Sequence, residues 1–307
     1  MRSILSVADL TRTEFIDVLQ RSSIIKEETK RGQWRSDLDK KTVALLFQKP
    51  SLRTRVSFEQ GVHQLGGHAL YLSPAEVGLG EREAVQDVAR VLCRYVDCVV
   101  ARVNRHTDLE MLSRYSMVPV INALSDLSHP CQAMADLLTV REKRGRTEGL
   151  VMAYIGDGNN VAHSLILATA KVGIHLRIAC PPGFEPDRGI VERAGADREA
   201  TGATFAIVRS PQEAATGADV LYTDVWASMG QEAEAERRRR AFAGYRVDAA
   251  LLKLAKPDAV VMHDLPAHRG DEITDEVIDG PQSVVFDQAE NRLHAQKGLL
   301  SWLFSAE

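Results

Sequence analysis

The sequence predicts an α/β fold of two domains, each with a mostly parallel sheet flanked by helices. Short apolar or β-branched runs alternate with stretches of helical periodicity from end to end, joined by short connections. A polar, glycine-bearing stretch, Arg141–Gly149, separates two sets of such runs. The length, 307 residues, suits one large core or two domains of about 150 residues each.

The first set of expected strands is Thr42–Phe47, Ala69–Leu72, Cys98–Val103 and Val118–Ile121. The second is Val151–Ile155, Leu176–Ala179, Thr204–Val208, Val220–Thr223, Ala259–His263 and Ser283–Phe286. Between strands, apolar residues recur at helical spacing, as Phe58, Val62 and Leu65 do. The division gives domains at 1–145 and 146–307. Asn291–Phe304 reads as an amphipathic helix, and a final helix from about residue 288 is expected to pack back on the first domain. The run Glu232–Arg240, acidic and then basic, reads as a solvated helix or loop with local ion pairs.

Composition excludes several classes. Apolar residues are 45% and charged residues 26%, the mix of an ordinary soluble globular protein. Lys and Arg number 38 against 42 Asp and Glu, a net charge of −4, so no basic field invites nucleic acid or an anionic membrane. Disordered, collagen-like and coiled-coil readings fail on the same figures. The four cysteines, Cys93, Cys98, Cys131 and Cys180, form no CxxC pair and are too few for a disulfide scaffold. Free buried thiols in a reducing cytoplasm are expected. The N-terminal stretch lacks an apolar segment suited to a signal peptide, and no 18-residue apolar run occurs.

The chemistry concentrates in polar turns after expected strands. Lys49-Pro50-Ser51-Leu52-Arg53-Thr54-Arg55 lies between a strand and the helix carrying Phe58. Free backbone N–H groups, the positive end of the helix dipole, two hydroxyls and two guanidinium groups make an anion cradle suited to phosphate. An N-cap with two surface arginines fits the same spacing. A second turn, Ser128-His129-Pro130-Cys131-Gln132, puts Pro130 in the first turn of a helix and His129 and Gln132 on one face. Open α/β sheets bind ligands at such strand ends.

In the second half, Gly156-Asp157-Gly158-Asn159-Asn160 mimics a dinucleotide turn. The third glycine is missing, and no acidic residue follows Leu176–Ala179 to hold a ribose. Two more polar turns are Asp224–Gly230 and His263-Asp264-Leu265-Pro266-Ala267. A turn-forming Asp, a core Trp and a loop Pro would explain these individually, but not all the turns together.

The motifs S-x-R-T-R at Ser51–Arg55, H-P-x-Q at His129–Gln132, D-x-W-x-S-M-G at Asp224–Gly230 and F-D-Q-A-E-N-R at Phe286–Arg292 occur in order along the chain. With His263–Ala267, they make the sequence resemble the carbamoyltransferase family, and within it the ornithine branch. The resemblance implies that Ser51, Leu52 (through its backbone), Arg53, Thr54 and Arg102 hold the phosphate of carbamoyl phosphate. His129, Pro130, Cys131 and Gln132 would address the carbamoyl group, and Arg292 would close over it. Asn160, Asp224, Ser228 and Met229 would bind the amino-acid end of L-ornithine, with Asp264 and Leu265 beside the reacting amine. It further implies an active site between two domains, a homotrimer or multiple of trimers, and a neighbouring subunit's loop near Glu76–Glu83 reaching the phosphate.

Three departures from the family pattern stand out: Leu52 where Thr is common, no glutamine near Gly78, and Asp264 where the family motif H-C-L-P carries cysteine. The implied reaction needs no cofactor or metal. A neutral δ-amine attacks the carbonyl carbon, phosphate leaves, and the product is citrulline. Arg53 and Arg102 stabilise the leaving phosphate, His129 and Arg292 polarise the carbonyl with Gln132, and Asp264 or the phosphate takes the proton. Asp264 leaves open a different acceptor, such as putrescine.

Overall fold

The computed structural model describes residues 2–227 and 234–305. The chain divides into two compact units: unit 1, Met1–Leu138 with Glu290–Glu307, and unit 2, Thr139–Ala289. The helix Pro130–Arg144 spans the first division, and the Arg141–Gly149 stretch expected as the boundary lies at its C-terminal end.

Unit 1 is built on four parallel strands, β1 (Thr42–Phe47), β2 (His68–Leu72), β3 (Cys98–Arg102) and β4 (Val120–Leu124), in the order β2-β1-β3-β4. β1 and β3 are central and buried almost throughout, which is why they read as unbroken apolar runs. Ala44, Leu46, Val99 and Ala101 pack with Leu109 and Leu112 of the helix His106–Tyr115.

Unit 2 carries β5 (Val151–Ile155), β6 (His175–Ala179), β7 (Phe205–Val208), β8 (Val220–Thr223) and β9 (Val260–His263), all parallel, in the order β7-β6-β5-β8-β9. Its core joins Ala153, Ile155, Leu221 and Val261 to Val247, Ile273 and Val277. The helix Asn160–Val172 is buried along most of its length, matching its almost uninterrupted apolar sequence.

Two expectations need correction. Ser283–Phe286 is not a strand: Ser283 makes one parallel bridge to Val261, and the helix Val285–Ser305 begins two residues later. The apolar run Val284-Val285-Phe286 is too short to outweigh the helix-forming sequence after it, and Phe286 turns to solvent while Val285 enters the core. Nor is the Glu232–Arg240 segment simply solvated. Residues 232 and 233 lie outside the described residues; Ala235–Ala241 is a helix, and Arg238 is buried against Asp157 (2.6 Å) and the Trp226 carbonyl (3.0 Å). The neighbouring Arg240–Glu236 pair is the exposed ion pair the sequence suggests.

From Glu290 onward the last helix packs on unit 1, as expected. A Cβ at Gly298 would lie 2.0 Å from Ser22 Oγ, so only glycine permits this approach to the helix Arg12–Lys30. Lys26 Nζ donates to Asn291 Oδ1 (2.7 Å), and Lys297 Nζ donates to Thr29 Oγ1 (2.6 Å) and Gln64 Oε1 (2.7 Å). All four cysteines are free and buried. Among the described residues, no helix is long and apolar enough to cross a membrane.

Lys297 gives a test of this packing. Burial pulls its ammonium from the ordinary 10.5 down to about 8, against a small opposing pull from Glu28. The unfolded chain therefore binds more protons between pH 8 and 10.5, so this group makes stability rise with pH across that window. Lys297→Met should remove that part of the rise, measured as the pH dependence of the urea midpoint of variant against parent. Identical profiles would show that the amine is solvated.

Candidate active site

In unit 1 the polar groups gather at the carboxyl ends of β1, β3 and β4. Ser51 caps the helix Leu52–Gln64: its hydroxyl accepts from Thr54 N (3.4 Å) and donates to Thr54 Oγ1 (3.0 Å). Arg53 follows at the open start of the helix, where the dipole is positive. Arg55 is turned away, bonded to Glu59 (3.0 Å) and stacked 3.8 Å from the centre of the Tyr71 ring. Of the two guanidinium groups in the motif, that of Arg55 is thus committed to Glu59 and Tyr71. The Leu52 side chain is 77% exposed, so only its backbone stays at the turn.

Arg102 ends β3 at a shift in register: Ala101 pairs with Asn122, but Arg102 pairs with Leu124. Such an irregularity re-aims the side chain that follows it. After β4, Ser125 N donates to Ser128 O (3.0 Å), and Asn122 Nδ2 donates to the same carbonyl (3.1 Å). This turn delivers His129 to the start of the helix Pro130–Arg144, with Pro130 as its first residue. Cys131 packs inward, its thiol 3.4 Å from Asn122 O and pushed by burial up to about 12.

Arg292 lies at the centre of the hydrogen bonding. Its Nη1 donates to Gln132 Oε1 (2.6 Å) and its Nη2 to Thr54 Oγ1 (3.1 Å). Gln132 Nε2 in turn donates to the fully buried Asp136 (2.8 Å), which fixes the amide with its oxygen towards Arg292. Asp136 was missed by sequence reasoning; it lies one turn after Gln132, a spacing that reads as ordinary helix. Burial holds the His129 imidazole well below its ordinary 6.5, and the charges of Arg292 and Arg102 lower it further. His129 is therefore a neutral hydrogen-bonding group among cations.

Unit 2 presents the opposite charge at the ends of β5, β8 and β9. Gly158 approaches Pro186 so closely that a Cβ would lie 2.2 Å from its nitrogen. The next residue, Asn159, caps the helix Asn160–Val172 by accepting from Val161 N and Ala162 N. Asn159 also donates to Asp224 Oδ2 (2.7 Å) and accepts from Tyr154 OH (3.3 Å). Asn160, the expected ligand, is half-buried at the first helical position, with Oδ1 near Val161 N (3.1 Å). Asn159 was missed because two adjacent asparagines suit a cap equally well in sequence. Trp226 is buried against Phe242, as a core tryptophan would be. The other two expected residues of this loop, Ser228 and Met229, lie outside the described residues.

His263 is fully buried at the end of β9. Its N–H is held by Gln288 Oε1 (2.9 Å), a contact that explains the glutamine of F-D-Q-A-E-N-R. The ring's Nδ1 accepts from Leu265 N (2.9 Å) and its Nε2 faces Glu272 (3.1 Å). Burial disfavours a charged ring, while the Asp264 and Glu272 carboxylates favour one. An Nδ1 that accepts from Leu265 cannot also donate to Asp264, which stands farther off at 3.4 Å. The geometry is thus that of one proton, on Nε2. Leu265 has φ +57°, an uncommon value for a branched side chain, and precedes a cis bond to Pro266.

The domain model "Aspartate/ornithine carbamoyltransferase, carbamoyl-P binding domain" matches residues 2–142, and "Aspartate/ornithine carbamoyltransferase, Asp/Orn binding domain" matches 148–303. The chain belongs to the aspartate/ornithine carbamoyltransferase family. It is 53% identical to the ornithine carbamoyltransferase of Thermococcus kodakarensis over 300 residues, 98% of this chain and 95% of that one. Identity to the anabolic ornithine carbamoyltransferase of Pyrococcus furiosus is 52%, with the same coverage. A solved structure of ornithine carbamoyltransferase from Pyrococcus furiosus superposes with a TM-score of 0.96 at 51% identity, covering 100% of this chain and 98% of that one. Each matched segment carries one of the two sets of polar strand ends described above.

The neutral state of His129 can be checked directly. Its ring signals should show no protonation as the pH falls through the ordinary 6.5, followed by two-dimensional NMR of ring-labelled protein. A titration near that value would mean that water reaches the ring and that Arg102 and Arg292 do not act on it.

Proposed function

We propose that this protein transfers the carbamoyl group of carbamoyl phosphate to the δ-amine of L-ornithine, giving L-citrulline and phosphate. The observation that carries the reading is the Arg292–Gln132–Thr54 network beside Arg102 and neutral His129, whose members other than Arg292 lie in the part matched by the carbamoyl-P binding model. A cationic strand end suits a dianionic donor. The carboxylate-rich end of unit 2 suits an amino acid bearing an ammonium group, and that part matches the Asp/Orn binding model. The anabolic relative supports a place in arginine biosynthesis.

In this reading Ser51, Arg53 and Thr54, the backbone at Leu52, and Arg102 hold the phosphate. His129, Gln132 and Arg292, on the turn containing Pro130 and Cys131, face the carbamoyl oxygen. The δ-amine attacks the carbonyl carbon, the carbon–oxygen bond to phosphate breaks, the amine's surplus proton passes to the departing phosphate or to Asp264, and the guanidinium groups stabilise the charge that moves onto the leaving group. A neutral His129 can donate to the developing oxyanion without adding a charge that would compete for phosphate. Asp224 takes the α-ammonium of ornithine, with Asn160, Ser228 and Met229 completing the amino-acid end and Asp264 and Leu265 beside the amine.

Four buried free thiols support a cytoplasmic location. A homotrimer, or a multiple of one, is supported by exposed apolar side chains on one part of unit 1. Leu52 and Val56 lie one turn apart on the helix Leu52–Gln64, and Leu70 is exposed on the edge strand β2. The loop Glu76–Glu83 would then serve a neighbouring site.

The test is a ureido-product assay with carbamoyl phosphate and a panel of amines: ornithine, putrescine, lysine and N-acetylornithine. Ornithine should be the preferred acceptor, and preference for putrescine would overturn the assignment. Arg53→Ala should lower kcat/KM by at least ~100-fold, the scale of a removed transition-state donor. A variant within threefold of the parent would remove Arg53 from the site.

A further inference from the structure

The helix Pro130–Arg144 buries a carboxylate behind the polar groups of unit 1. Asp136 is fully buried, and its Oδ1 accepts from Gln132 Nε2 at 2.8 Å. The two residues lie one turn apart on the same helix face. Gln132, also buried, passes the contact on: its Oε1 accepts from Arg292 Nη1 at 2.6 Å. Arg292 is buried too, and its Nη2 donates to Thr54 Oγ1 at 3.1 Å. A chain of hydrogen bonds thus runs from carboxylate to amide to guanidinium to hydroxyl, on residues of three separate helices.

Packing does not account for a carboxylate at this place. An apolar side chain would fill it without the cost of taking a charge out of water. Unit 1 has one other buried carboxylate among the described residues, Asp108, and that one is bonded to the Arg105 guanidinium at 2.9 Å. Asp136 holds an amide instead. A carboxylate only accepts and a guanidinium only donates, so an amide between them fits one way round, nitrogen to Asp136 and oxygen to Arg292. Gln132 then keeps a second hydrogen on Nε2, the one it can give to a carbonyl oxygen. Once Arg292 exchanges its bonds for a substrate it no longer holds the amide, and Asp136 still does. Thr54 does not depend on this chain, because Ser51 donates to its hydroxyl oxygen at 3.0 Å from the same turn.

We propose that Asp136 is a positioning residue for the transfer: through Gln132 it sets the donors that polarise the carbamoyl carbonyl, without itself touching the substrate. The inference rests on the carbamoyl phosphate reading given above and adds the group that orients two of its members. It divides the donor site in two. The phosphate is held by the turn Ser51–Thr54 and by Arg102, whose places owe nothing to Asp136. The carbonyl is met by Gln132 and Arg292, whose places come from it. The last torsion of a glutamine is soft, so without an acceptor at residue 136 the buried amide turns to find another partner and releases Arg292. Loss of the carboxylate therefore acts on ligands that carry the carbonyl and spares those that carry the phosphate alone.

Two non-reacting ligands separate the halves of the site: phosphonoacetamide, with a phosphonate and a carbamoyl-like carbonyl, and methylphosphonate, with the phosphonate alone. Each would be titrated calorimetrically into the full-length parent and its variants. Asp136→Ala should weaken phosphonoacetamide binding at least ~10-fold, the scale of a displaced donor, and change methylphosphonate binding by less than about threefold. Its kcat at saturating carbamoyl phosphate should fall by at least the same factor as phosphonoacetamide affinity. Asp136→Asn, whose side-chain oxygen can still accept from Gln132, should recover most of the loss. Asp136→Val, closer in volume, should match Asp136→Ala, so that the result does not depend on one variant folding well. In a Gln132→Leu background Asp136→Ala should cost nothing further, because its effect passes through the amide. Equal weakening of both ligands, an Asn variant as poor as the Ala variant, or full additivity in the double variant would reduce Asp136 to a support of the fold, overturning the proposal and leaving the ornithine reading intact. A parent that binds methylphosphonate but not phosphonoacetamide, and gives no ureido product from ornithine, overturns both.

Discussion

Parallel strand pairing constrains where this chain can place chemistry. A parallel neighbour must enter from the same edge, so every strand of a sheet ends on one side and a helix must carry the chain back. Among the described residues all nine strands are parallel, four in one sheet and five in the other. Phe47, Arg102 and Leu124 therefore end together in unit 1, and Ile155, Thr223 and His263 in unit 2. The helices Leu52–Gln64, Pro130–Arg144 and Asn160–Val172 begin a few residues after such ends, bringing unpaired N–H groups to the same edge. Polar residues can collect there because the strand interiors are apolar and satisfied by the ladder.

The two sheets use that shared geometry with opposite charge. In unit 1 the edge gathers Arg53, Arg102 and Arg292, and the measure of their effect is His129, held neutral by burial and by two of the three. In unit 2 the edge gathers Asp157, Asp224 and Asp264, and the measure is Tyr154, whose hydroxyl burial and then those carboxylates push well above its ordinary 10.0. The Arg238 guanidinium offsets Asp157, while burial and the neighbouring Asp264 charge hold the Asp224 carboxyl well above its ordinary range. A net charge of −4 over the chain says nothing of this segregation. What matters to an anionic donor and a cationic acceptor is the local field inside partly buried edges, where charges are poorly screened.

Much of this was legible in the sequence. The strands of both sheets could be read from apolar runs, because buried parallel strands have no solvent face to interrupt the pattern. The groups that meet in unit 1 could be flagged because Ser51, Thr54, His129 and Gln132 sit in turns between strand and helix signals. What remained hidden depends on three-dimensional direction. Asn159 and Asn160 are indistinguishable as letters, yet a one-residue shift at a helix start turns a side chain by about 100° and decides which one meets Asp224. Asp136 looks like a mid-helix acid and Arg238 like one of four consecutive arginines, and each is identified only by its buried partner. Ser283–Phe286 misled because three apolar residues fit the end of a strand and the start of a helix equally well.

The last helix shows why buried polar contacts are kept where apolar ones would pack. Arg292 reaches Gln132 and Thr54 only if the helix lies at one rotation about its own axis, and an error of one residue would turn it by about 100°. Apolar packing alone tolerates alternatives, since Leu, Ala and Trp side chains can slide past one another at small cost. Here Asn291 is bonded to Lys26, Lys297 to Thr29 and Gln64, and Ser301 to Asp37. Any other rotation would leave those buried groups unpaired, at about 1–3 kcal/mol for each neutral group and more for each charge. Gly298 adds a steric condition, because no other residue can face Ser22 at this separation. The amines and the glycine thus fix the rotation within a few residues of Arg292. The guanidinium is then set before any ligand arrives, and its two hydrogen bonds to neutral partners can be exchanged for contacts to a substrate without moving the backbone.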